Sequence, residues 1–179
     1  GPPAPTEERL QAAEVQVRAA AQQGAQLVVL TELFNTGYIY TDDNYHRAEP
    51  IEGPTVTWMK QIAAELNIHL AGTLLLRDVE DIYNSLLFFA PDGQMWRYDK
   101  NYPWSWERLY FREGRAITVA KTAIGTFGLM TCADVISPQL FQRYAGRVEA
   151  MIIATSPPQM HRAEIAFSPE DTVTLGELM

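Results

Sequence analysis

Three residues whose chemistry is complementary occupy the same kind of place in this sequence. Cys132, the sole cysteine among 179 residues, closes the apolar run Ile124-Gly-Thr-Phe-Gly-Leu-Met-Thr, after which the chain turns polar. Glu32 follows Gln26-Leu-Val-Val-Leu-Thr31, and Lys100 follows Gln94-Met-Trp-Arg-Tyr-Asp99. Each therefore stands at the exit of a predicted strand, where α/β sheets gather ligands and reactive groups. A thiol, a carboxylate and an ammonium meeting there would supply the nucleophile, base and anion stabiliser of a covalent hydrolase.

Taken singly, each has an ordinary alternative. A free thiol is mostly protonated near neutrality and needs a base or a cation to act, and a lone strand-end cysteine also serves as a small buried hydrophobe. Glu32, partly desolvated at the end of an apolar strand, is disposed to take up a proton, but it could equally cap a turn or pair with an arginine. Lys100 offers a compact charge for an oxyanion, yet most lysines are solvated. Three histidines, His46, His69 and His161, leave a Cys-His peptidase as a competing arrangement. His69 sits in an apolar strand, His46 in a polar loop and His161 in a segment rich in Pro and Met.

The composition narrows the classes. Hydrophobic residues make up 47% and charged residues 20%, a globular balance with enough length for one core. The net charge of −8 and a pI near 4.8 argue against nucleic-acid binding, which needs a basic face. A single cysteine excludes an internal disulfide or a multi-thiolate metal site, and fits a reducing, cytoplasmic setting, where we expect the protein. No apolar run reaches the 18 residues of a membrane span. The Gly-Pro start matches a protease-cleavage scar rather than a signal peptide.

The elements that must position these residues alternate between helix and strand. Thr6 reads as an N-cap, with Glu7 and Glu8 in the first turn and Leu10, Ala13, Val17, Ala20 and Ala21 at helical spacing up to Gly24. A strand over 26–31 follows, then a helix from Pro54 carrying Trp58, Ile62 and Leu66. Strands over 68–76, 82–90 and 94–99, separated by a turn at 77–81 and by Pro91-Asp92-Gly93, predict an antiparallel meander. Further strands are expected near 117–120, 126–131 and 149–155, with a helix over 138–144. Ser168-Pro169-Glu170-Asp171 reads as the start of an unfinished helix. The pattern favours a layered α/β sandwich.

With their neighbours, the three residues resemble the nitrilase superfamily of carbon–nitrogen hydrolases. The segments are Thr-Glu-Leu-Phe-Asn-Thr-Gly-Tyr (31–38), Tyr-Asp-Lys-Asn-Tyr-Pro-Trp (98–104) and Gly-Leu-Met-Thr-Cys-Ala-Asp-Val (128–135). The loop Trp-Glu-Arg-Leu-Tyr-Phe-Arg-Glu-Gly (106–114) also matches, and the likeness runs from about residue 7 to about 157. The resemblance implies an α-β-β-α four-layer sandwich and a Glu32-Lys100-Cys132 triad, with Glu107 as a second active-site glutamate. It implies that Glu32 takes the thiol proton, that Cys132 forms a thioester, and that Lys100 and the Ala133 backbone N–H hold the oxyanion. No metal or organic cofactor is needed. Ala133-Asp134 after the cysteine, where nitrilases commonly have an aromatic residue and glutamate, tilts the expectation towards a small amide, with a nitrile as the alternative. Tyr38, Tyr102, Trp104 and Trp106 are candidates to wall a pocket for an apolar acyl group.

Against the family pattern, a first strand before the opening helix is missing and the chain stops at Met179. Residues 1–179 are thus expected to form one incomplete domain, and an inactive assembly piece is the competing reading. A homo-oligomer is expected, with Leu140, Phe141 and Tyr144 of the helix after the nucleophile as candidate contacts. A small-molecule substrate is the only other partner expected.

Overall fold

The computed structural model describes residues 4–39, 41–156, 164–168 and 171–174. In chain order its helices and strands are α1 Thr6–Gln22, β1 Leu27–Val29, α2 Asp43–Arg47, α3 Pro54–Leu66, β2 His69–Asp78, β3 Asp81–Phe89, β4 Met95–Asp99, β5 Val119–Thr122, β6 Gly125–Thr131, α4 Pro138–Tyr144, β7 Ala150–Ala154, β8 Glu164–Ser168 and β9 Asp171–Thr174. The first sheet runs β1-β2-β3-β4, with β1 parallel to β2 and the rest antiparallel. The second runs β5-β6-β7, with β5 antiparallel and β7 parallel to β6.

Alternation along the strands builds the layers. Ala71, Leu86, Phe88 and Tyr98 of the first sheet pack against Ala120, Leu129, Ile152 and Ala154 of the second. The opposite faces of β2 and β3 present Leu70, Leu74, Leu76, Leu87 and Phe89 to Val17 of α1 and to Val56, Met59 and Ile62 of α3. On the far side of the second sheet, Met130 of β6 packs with Leu140 and Tyr144 of α4. The order is helix, sheet, sheet, helix: the four-layer sandwich expected. Because both faces of β2 and β3 are covered, these strands read as near-continuous apolar runs.

The meander and α4 fall where the sequence places them, while other boundaries move. Thr6 is the first helical residue rather than the cap, and Pro5 stands before it with no side-chain capping bond. The strand expected over 26–31 shortens to three residues, since the chain turns sharply at Leu33, whose φ is 49°. The unfinished helix after Ser168 is instead the strand β9, paired antiparallel with β8. The β-branched run Thr172-Val173-Thr174 outweighs the helix-start signal of Pro169-Glu170. Leu140 and Tyr144 are 1% and 2% exposed, so the protein's own core uses two of the three expected contact residues and leaves Phe141 at the surface. Among the described residues, no helix is long and apolar enough to cross a membrane.

Candidate active site

Glu32 and Lys100 leave the first sheet, and Cys132 leaves the second, at the same end of the sandwich. Glu32 lies on the turn after β1, which is fixed by a hydrogen bond from the Leu33 N–H to Thr73 Oγ1 at 2.6 Å. Lys100 directly follows β4, its N–H donating to the Asn84 carbonyl at 2.9 Å. Glu107 lies on a 3₁₀ turn, Ser105–Leu109, whose start accepts a left-handed Ser105 (φ 42°). A second 3₁₀ turn, Cys132–Ile136, begins with Cys132 itself at φ 43°. A non-glycine residue held there stores strain of about 1–3 kcal/mol, and such strain clusters at sites where a side chain must be presented.

These residues converge. Lys100 Nζ donates to Glu32 Oε1 at 2.8 Å and to Glu107 Oε2 at 2.7 Å, and all three side chains are at most 2% exposed. Asn84 Nδ2 also donates to Glu32 Oε1 at 2.9 Å. That leaves Glu32 Oε2 buried with no hydrogen bond among the described residues, an acceptor kept in reserve. The half-buried Cys132 lines one cavity with Glu32, Glu107, Tyr38, Phe34 and Trp104, of about 530 Å³.

Each charge tunes the others. Burial first, and then the Glu32 carboxylate, push the Cys132 thiol above its ordinary value, while Lys100 pulls it down by less. Burial and the neighbouring carboxylate thus favour the protonated thiol. Burial alone would lower Lys100, but Glu32 and Glu107 outweigh it and hold the ammonium protonated. Burial, followed by the same two glutamates, keeps the Tyr38 hydroxyl protonated.

Asp134 is a residue whose importance the sequence did not disclose. It is fully buried and accepts from Tyr98 Oη at 2.7 Å, the Thr131 N–H at 3.1 Å and the Tyr102 N–H at 2.8 Å. Tyr98 and Tyr102 flank Lys100, and Thr131 precedes Cys132, so this carboxylate ties the lysine segment of one sheet to the Cys132 turn of the other. Burial raises its pKa despite those three donors. Gly114 helps from the other side: its N–H bonds the Lys100 carbonyl at 2.8 Å, and a Cβ there would collide with the Asp99 carbonyl.

The remaining expected residues scatter. Tyr38 and Trp104 line the Cys132 cavity, whereas Tyr102 and Trp106 line neighbouring hollows and are 41% and 61% exposed. Ala133 is buried beside Cys132, its side chain bordering the hollow that holds Tyr102. His69 begins β2 beside Leu27, at the opposite end of β1 from Glu32, with its ring 5.8 Å from that of Phe88. His46 is exposed on α2, and His161 lies outside the described residues. Among the described residues, neither histidine makes a hydrogen bond to the thiol, so no Cys-His pair is formed there.

The family model for carbon–nitrogen hydrolases matches residues 2–170. A nitrilase of Pyrococcus abyssi is 31% identical over 131 residues, covering 71% of this chain and 50% of that protein. An omega-amidase of Xenopus laevis is 30% identical over 145 residues, covering 73% of this chain and 51% of that one. Among solved structures, Saccharomyces cerevisiae Nit3, a member of branch 10 of the nitrilase superfamily, superposes with a TM-score of 0.78 at 29% identity, covering 88% of this chain and 62% of that one. The chain spans about half the length of the curated relatives it matches.

Proposed function

Because the chain belongs to the carbon–nitrogen hydrolase family, we propose that it hydrolyses the C–N bond of a small, non-peptide amide through a thioester on Cys132. The observation that carries this reading is one buried ammonium shared by two buried carboxylates in the cavity wall that presents a strained cysteine. Glu32 Oε2, without a hydrogen bond, accepts the Sγ proton as the sulfur attacks the carbonyl carbon. The C–S bond forms, and the carbonyl π electrons move to oxygen. Lys100 Nζ and the Ala133 N–H stabilise that oxyanion, the contribution for which preorganised donors are strongest in a dry site.

Collapse of the intermediate breaks the C–N bond. Glu32 returns its proton to the departing nitrogen, giving ammonia or an amine and leaving the thioester. Glu32 then takes a proton from water, whose oxygen attacks the thioester. Collapse of that second intermediate breaks the C–S bond, the acid departs, and Glu32 returns the proton it took from water to the sulfur. Glu107 holds Lys100 in place throughout, and Tyr38 and Trp104 shape the acyl pocket.

Ammonia release from a panel of small amides and nitriles, with mass spectrometry of the quenched protein, tests the reading. Turnover, an acyl mass on Cys132 and loss of both in Cys132→Ala are expected. Unchanged turnover in a folded Cys132→Ala variant would overturn it.

A further inference from the structure

Cys132 leaves β6 and Thr155 leaves β7 at the same level of the second sheet. The parallel register pairs Thr131 with Ala154, so the next residue on each strand starts from a neighbouring position. Parallel strands run out in the same direction, which gives Cys132 a hydroxyl-bearing neighbour at the exit where the site opens. Ser156, one residue further on, lines the Cys132 cavity, so this exit reaches the site. Thr155 is exposed there, and the mechanism above gives it no part.

The charged and titratable groups around the sulfur come from elsewhere in the fold. Glu32 and Lys100 hang from the first sheet, Glu107 from the 3₁₀ turn, Tyr38 from the loop after Glu32, and Arg9 lines the cavity from α1. Burial and Glu32 raise the Cys132 thiol, while Lys100 and the Thr155 hydroxyl draw it back down. Lys100 already donates to two carboxylates, so much of its charge is answered before it reaches the sulfur. Thr155 supplies a neutral O–H instead, and such donors bind an ionised acceptor about twice as strongly as a neutral one.

We infer that the Thr155 hydroxyl donates a hydrogen bond to Cys132 Sγ, orienting the thiol and stabilising the sulfur whenever it carries negative charge. In the proposed reaction the sulfur gains that charge twice: as its proton passes to Glu32, and as the C–S bond of the thioester breaks. With a sulfur lone pair engaged by Thr155, the S–H is free to turn towards Glu32 Oε2, the carboxylate oxygen without a hydrogen bond among the described residues. The part in turnover rests on the hydrolase reading, whereas the hydrogen bond and its effect on the thiol do not.

Thr155→Val keeps the β-branched shape and removes the hydroxyl, Thr155→Ala removes both, and Thr155→Ser keeps the hydroxyl. The pH midpoint of iodoacetamide alkylation should rise by roughly half a unit or more in the Val and Ala variants and stay near the parental value in Thr155→Ser. For a small amide such as propionamide, kcat should fall by roughly threefold or more in Thr155→Val, with KM little changed and Thr155→Ser close to the parent. Cys132 is the sole cysteine, so its S–H infrared band is unambiguous, and it should shift in Thr155→Val. A raised midpoint in Thr155→Val, with no amide turned over by the parent, would sink the hydrolase reading and leave the hydrogen bond standing. Turnover by the parent, with midpoint and band unmoved in the Val and Ala variants, would overturn the hydrogen bond and leave the hydrolase standing.

Discussion

Replacing Lys100 by Met keeps the length and apolar bulk of the side chain and removes its charge. Glu32 and Glu107 then face one another at 2% and 1% exposure with no cation between them. Removing one partner of a buried ion pair costs about 3–5 kcal/mol, because the other charge stays buried and uncompensated. Against a total stability of about 5–15 kcal/mol, the variant stays folded but weakened. With a urea m-value of about 2 kcal/mol/M, the unfolding midpoint should fall by roughly 2 M. Turnover should drop by about a hundredfold or more, the usual consequence of losing an oxyanion donor. Alkylation of Cys132 should slow as well, since the thiolate loses its cation and keeps both glutamates. Adding Glu107→Gln to Lys100→Met removes one stranded charge and should recover about 1 kcal/mol or more of the stability without restoring turnover. A Lys100→Met protein with an unshifted urea midpoint and an unchanged alkylation rate would refute the electrostatic argument from both sides.

Two further outcomes follow from the site. The alkylation rate of Cys132 should rise with a midpoint above the roughly 8.5 of a free thiol, and Glu32→Gln should move it down; a parent midpoint at or below the free value would contradict the geometry. The sign for stability is the same: the folded state holds this proton more tightly than the unfolded chain, so the thiol lowers stability as pH rises above the free-thiol value. Asp134→Asn places an amide N–H₂ where a carboxylate oxygen accepted a backbone N–H. It should cost about 1–3 kcal/mol and lower kcat more than it raises KM, because the lysine and cysteine segments lose their shared anchor; a variant with parental stability and kcat would show the anchor to be dispensable.

What the sequence disclosed was local. The β2-β3-β4 meander was legible because Pro91-Asp92-Gly93 and the polar residues near 78–81 punctuate apolar runs. Cys132 was legible because a single thiol closes one of those runs. Groups brought in from far along the chain were not. Asn84 meets Glu32 across 52 residues and Asp134 meets Tyr98 across 36, and no periodicity records such pairings. Tyr102 and Trp106 stand beside the right motif, but Tyr102 is tied by its N–H to Asp134 and Trp106 lies on the Ser105–Leu109 turn, and both line neighbouring hollows. The C-terminal hairpin was misread because proline followed by acidic residues opens helices in general, and here three β-branched residues come next.

Glu32 and Lys100 hang from one sheet and Cys132 from the other, so in the proposed reaction the distance over which the proton would pass is set by how tightly the two sheets are pressed together. The seam between them, filled by Ala71, Phe88, Leu129 and Ile152, would act as the jaw of a calliper whose reading is the rate of the proposed reaction. Ala71→Val widens that jaw, and Ile152→Val lets it slacken. Both substitutions leave every reactive group intact, and yet turnover should register them as changes in gap before any spectroscopic measure of the fold does.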